Sequence, residues 1–90
     1  MKLKTDHGDF EIRELTFADR RKIHRMEVAA IDLKTGEMNN DKFYDMLEYI
    51  MNFAFTNPEK LFAEMDDNVI DEILIAAYNK YKSGVSKKKT

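Results

Sequence analysis

The residues "NDKFYDMLEYIMNFAF" (40–55) carry the densest apolar pattern in this chain. Phe43, Met46, Leu47, Ile50, Met51 and Ala54 recur at helical spacing, which predicts a helix starting near Asn40 or Asp41. Tyr44, Tyr49, Phe53 and Phe55 widen the apolar arc beyond one stripe. A helix with that profile sits at the centre of a small fold or beneath a partner. Methionine adapts its shape to more than one apolar neighbour, so both readings stay open at this point. If a partner is covered here, Tyr49, Phe53 and Phe55 are the aromatic candidates for the contact.

The segment leading into this helix, "AAIDLKTGEMNNDKF" (29–43), has the outline of a calcium loop. An EF-hand needs oxygen ligands at positions 1, 3, 5 and 12, with glycine at 6. Counting from Asp32, Lys34 falls on the third position, Gly36 on the fifth and Phe43 on the twelfth. A cation and a phenyl ring stand where ligands are required. Lys34-Thr35-Gly36 is turn chemistry instead, and Asn39 to Asp41 cap the next helix.

Further upstream, Lys2 to Leu15 predicts two short strands around Thr5-Asp6-His7-Gly8-Asp9, with Phe10 and Ile12 alternating against Glu11 and Arg13. Gly8 can supply the positive φ of a tight turn. A lone hairpin is marginal in water, so this one must lean on the helices. Thr16 predicts an N-cap with Asp19 in the first turn; Ile23, Met26 and Ala30 then mark a first helix running to about Ile31. Downstream, Asn57-Pro58-Glu59 restarts the chain with proline at a first helical position, and a short helix follows through Leu61, Phe62 and Met65. Asp66 or Asp67 caps a last helix whose stripe is Ile70, Ile73, Leu74, Ala77 and Tyr81. Gly84 is expected to stop it, leaving residues 83–90 as a disordered lysine-rich tail. The expected fold is mainly α: a short N-terminal β-hairpin followed by a compact bundle of three to four helices, in one domain over residues 1–82.

Ninety residues are enough for one modest core. There is no cysteine, which removes disulfide frameworks and thiolate metal sites. No apolar run approaches the ~20 residues that span a bilayer. The N-terminus lacks the apolar stretch of a signal peptide, so a cytoplasmic location is expected. The net charge of −2 is unevenly spread. Residues 1–31 are close to neutral, residues 32–79 carry three basic and eleven acidic side chains, and residues 80–90 carry five lysines and no acid. An acidic body repels nucleic-acid phosphates over most of its surface.

Few residues offer chemistry. Asp66, Asp67, Asp71 and Glu72 are dense enough to suggest a hard-metal site, but acids in the first turns of a helix also suit its dipole. His7 and His24 are the only histidines, and Arg20, Arg21 and Arg25 surround the second of them. Ser83 and Ser86 lie away from any base, and three scattered glycines form no phosphate loop. No enzyme and no cofactor or metal are expected. Arg20, Arg21, Lys22 and Arg25 form a basic cluster on the first helix, suited either to phosphates or to an acidic protein surface.

"FEIRELTFADRRKI" (10–23), a strand entering "RELT" and then a charged helix, resembles the small phage tail assembly chaperones. "NPEKLFAEM" (57–65), followed by an acid-capped final helix, is similar to the same family, and the resemblance covers residues 1–82. It implies a cytoplasmic, helical, non-catalytic protein that binds the long tape measure protein and keeps it soluble until tail components polymerise around it. It also implies self-association. Tyr49, Phe53 and Phe55 would be the client contacts, with Arg20, Arg21 and Arg25 as further partner-binding residues. Family members are often extended by a ribosomal frameshift, and a slippery A-rich heptamer would encode lysines such as Lys87-Lys88-Lys89. The alternative from another class is a small nucleic-acid-binding or transcription-modulating protein using the basic cluster of the first helix and the lysine tail.

Overall fold

In the hairpin that opens the chain, β1 (Lys2–Thr5) and β2 (Gly8–Glu11) pair antiparallel, with Leu3 opposite Phe10 and Lys4 opposite Asp9. The structure, a computed structural model, describes residues 1–32 and 34–88, with residues 83–88 described by their backbone. Alternation along the strands turns Leu3, Phe10 and Ile12 towards the core and leaves Lys2, Lys4, Asp9 and Glu11 exposed. The Thr5 hydroxyl closes the turn, donating to the Gly8 carbonyl at 2.7 Å and accepting from the His7 amide at 3.0 Å. Gly8 takes the positive φ, +118°, that this connection needs.

Four helices follow: α1 (Phe17–Ala30), α2 (Asn40–Ala54), α3 (Pro58–Phe62) and α4 (Asp67–Lys88). Thr16 starts α1 through a reciprocal capping box with Asp19, each side chain accepting from the other's amide. The Asn39 side chain accepts from the Lys42 amide to cap α2, and Asp66 does the same for Asn68 ahead of α4. Between α1 and α2 the chain makes a tight loop rather than an ion cradle. One Asp32 carboxylate oxygen accepts from the Lys34 amide at 2.8 Å and from the Thr35 amide at 3.4 Å. Gly36 adopts φ +77°, and Ile31 and Met38 form an isolated antiparallel bridge across the loop's base.

The core is centred on α2, which packs against both α1 and α4, while β1 lies on α4. Met46, Leu47, Ile50 and Ile73 are fully buried, and Ile23, Ala54, Leu74 and Ala77 close around them. Phe55 joins Phe10 and Phe62 in a cluster of edge-on and tilted rings that fastens the hairpin and α3 to the end of α2. The chain leaving β2 is held twice at Arg13. Its amide donates to the Ala54 carbonyl at 3.0 Å, and its carbonyl accepts from the Tyr81 hydroxyl at 2.6 Å.

One expected boundary changes. Residues 83–88 continue α4 as helix instead of starting a disordered tail at Gly84. A glycine inside a helix costs about 1 kcal/mol relative to alanine, and it ends a helix only when it adopts a left-handed conformation. Lys89 and Thr90 lie outside the described residues.

Truncating the core should be costly. Ile73→Ala is expected to lower unfolding free energy by about 2–5 kcal/mol in urea titrations. Phe17→Ala, at the outer face of α1, should change it by less than about 0.5 kcal/mol.

Candidate functional site

Tyr49 and Phe53 lie one turn apart on α2 and stack nearly parallel, with ring centroids 6.1 Å apart at 9°. Both are half-buried. A cation covers each ring: Lys22 of α1 lies 4.7 Å from the Tyr49 centroid, and the Arg13 guanidinium lies 5.3 Å from that of Phe53. Phe53 also meets Tyr81 of α4 edge-on at 6.3 Å. Burial, followed by the nearby Asp19 carboxylate, raises the Tyr49 hydroxyl above its ordinary pKa. Burial does the same for Tyr81, pushed up to about 12. The result is an aromatic seam between α1, α2 and α4, apolar in its rings and basic at its rim.

Phe55 does not belong to this seam. Only 4% of its surface is exposed, and it is occupied by Phe10 and Phe62, so it offers nothing to a partner. Its expected role as a client contact is therefore withdrawn. The reason is geometric: as the residue that closes α2, Phe55 turns inwards beneath the hairpin. The wide apolar arc of α2 is largely consumed by the core, and Tyr44 is its one exposed large member.

The basic cluster divides. Arg20 stacks its guanidinium over Phe17 at 5.1 Å, and Lys22 serves the aromatic seam. Arg21 and Arg25 are exposed, and among the described residues none of these four cations lies in an ion pair. The acidic group at the start of α4 also disperses. Asp66 caps the helix, Asp71 accepts from the Tyr44 hydroxyl at 2.6 Å, and Glu72 pairs with His7 at 3.1 Å. His7 and His24 have different acidic neighbours, His24 being 3.7 Å from Glu27 on its own helix.

Three features carry no obvious signal in the sequence. Phe17 is 71% exposed, and Val28 and Met38 are 45% and 50% exposed. Their positions off the Ile23–Met26–Ala30 stripe are the one available hint for the two on α1. A third helix-to-helix tie joins Glu27 of α1 to α4, where it accepts from the Tyr78 hydroxyl and pairs with Lys82 at 2.8 Å. Burial pulls the Glu27 carboxyl upwards, but hydrogen bonds from Lys82 and Tyr78 outweigh it and hold the pKa below the ordinary 4.5. The same contacts raise Lys82, and burial raises Tyr78. These three groups satisfy one another between two helices.

No family model, curated protein or solved structure matches the chain. What the geometry defines is a mainly helical domain with a half-exposed aromatic seam and a basic outer helix. Among the described residues, no helix is long and apolar enough to cross a membrane, and no three His, Asp or Glu side chains gather to hold a metal.

Glu27 makes stability depend on pH with a defined sign. Its folded pKa lies below its unfolded one, so its contribution is full above 4.5 and disappears as pH falls through the folded value. In urea titrations, Glu27→Gln should be less stable than the unaltered chain at pH 7. The gap is expected to close as the pH is lowered from about 4.5.

Proposed function

We propose that this chain is a non-catalytic protein-binding protein, a phage tail assembly chaperone that keeps a long, apolar tape measure protein soluble until tail components assemble on it. The observation that supports it best is the Tyr49–Phe53 seam, where two stacked rings remain half-exposed within a basic rim. Such a seam suits an amphipathic client helix, with apolar residues against the rings and acids against Lys22 and Arg13. The resemblance at residues 10–23 and 57–65 supports the choice of client. The mutual satisfaction of Glu27, Tyr78 and Lys82 supports a structural rather than catalytic role for the groups with shifted pKa. Self-association and work in the host cytoplasm belong to the same proposal.

A second reading, nucleic-acid binding, is favoured by one observation: Arg20, Arg21, Lys22 and Arg25 have no ion pairs among the described residues. The two readings part in a nuclease-treated affinity pull-down from the native source. Recovery of a very long helical protein with tail-tube components is expected, as is its loss in Tyr49→Ala and Phe53→Ala variants that retain their helical circular dichroism. Recovery of polymerase subunits, or loss of all partners on nuclease treatment, would overturn the proposal.

A further inference from the structure

The two acids of α1, Asp19 and Glu27, both lie on its inner side and are engaged there, by Thr16 and by Tyr78 and Lys82. Its outer side therefore shows only apolar and basic residues. Phe17, Arg21, His24 and Val28 follow one another at helical spacing along the middle of that side, with Arg20 and Arg25 beside them. Phe17 and Val28 are about 16 Å apart along the axis, three turns, with the cations between them. Among the described residues Arg20, Arg21 and Arg25 have no acidic partner, and of this strip His24 alone has one, Glu27 at 3.7 Å, on a chain whose residues 32–79 carry eleven acids. At its far end Val28 and Met38 line one shallow hollow with Ile31, where the adjoining loop adds Lys34 beside Asp32 and Glu37.

We infer that the outer face of α1 is a docking surface for an acidic helical segment of another protein, lying along the helix. Its carboxylates face Arg20, Arg21 and Arg25, and it places one apolar side chain beside Phe17 and another in the Val28–Met38 hollow. Charge complementarity selects this occupant. The apolar ends supply contacts that a nucleic-acid backbone cannot use. A lipid surface is disfavoured as well, since two separated apolar side chains anchor poorly in a bilayer. The surface is distinct from the Tyr49–Phe53 seam.

The test uses a fluorescein-labelled peptide of about four helical turns, with glutamates on one face and a leucine near each end. Controls are its lysine-for-glutamate counterpart and a single-stranded oligodeoxynucleotide. By anisotropy at physiological salt, the acidic peptide should bind at least about tenfold more tightly than either control. Arg21→Glu with Arg25→Glu should abolish that preference, and Phe17→Ala or Val28→Ala should weaken binding severalfold while the circular dichroism stays unchanged. Equal binding of the two peptides, or binding that survives the double reversal, overturns the inference. Tighter binding of the oligonucleotide overturns it in favour of nucleic acid. Tyr49→Ala should leave peptide binding intact, and failure of the unaltered chain to capture a client would count against the chaperone proposal and not against this one.

Discussion

The constraint on which the rest of the structure depends is the burial of α2. Its apolar side chains cover about 200° of the helix circumference, too wide for a single neighbour to hide. Three elements share the task. α1 and α4 cover the broad face, and the Phe10–Phe55–Phe62 cluster closes the C-terminal end. The hairpin exists on the same terms: two four-residue strands do not persist alone, and these are held by Leu3 and Ile12 in the core and by Arg13 at the junction. Remove the apolar arc of α2 and none of these elements has a surface on which to fold.

Polar side chains then work at the seams between elements rather than inside the core, where no buried polar side chain is found among the described residues. Tyr81 reaches the Arg13 carbonyl, Tyr44 reaches Asp71, and Tyr78 reaches Glu27. Tyr78 and Tyr81 bury their rings while Tyr44 stays exposed, and each of the three carries its hydroxyl to an acceptor elsewhere in the fold, which fixes orientation as well as contact. Lys22 and Arg13 contribute in another way, through their positions over Tyr49 and Phe53. An aromatic pair that would otherwise be a greasy edge is thereby made compatible with water without being fully hidden.

Charge follows the same economy of placement. The two acids of α1 are turned inwards and used, whereas Arg21 and Arg25 are turned outwards and left without ion pairs among the described residues. The result is a small body with faces of different sign, the usual basis of partner selection and of steering during encounter. Both functional proposals take these faces as surfaces for contact with a partner.

Much of this was legible in the order of residues. Thr16 with Asp19, Asn39, Pro58 and Asp66 mark helix starts by local hydrogen bonding and proline geometry, which act within a few residues of the chain. The stripes of α1 and α4 and the alternation of Leu3, Phe10 and Ile12 follow from periods that sequence records directly. The mismatch of the 29–43 loop to a calcium site was equally local. Gly84 was misjudged because glycine weakens a helix without obliging it to end. Only tertiary structure could divide the α2 aromatics, sending Phe55 into the core while Tyr49 and Phe53 stayed at the surface, because that choice depends on where the hairpin and α4 come to rest. The bond from Tyr78 to Glu27 spans 51 positions, and the exposure of Phe17 depends on what packs behind α1. Periodicity states which residues share a face; it is the packing of distant elements that decides which face meets water.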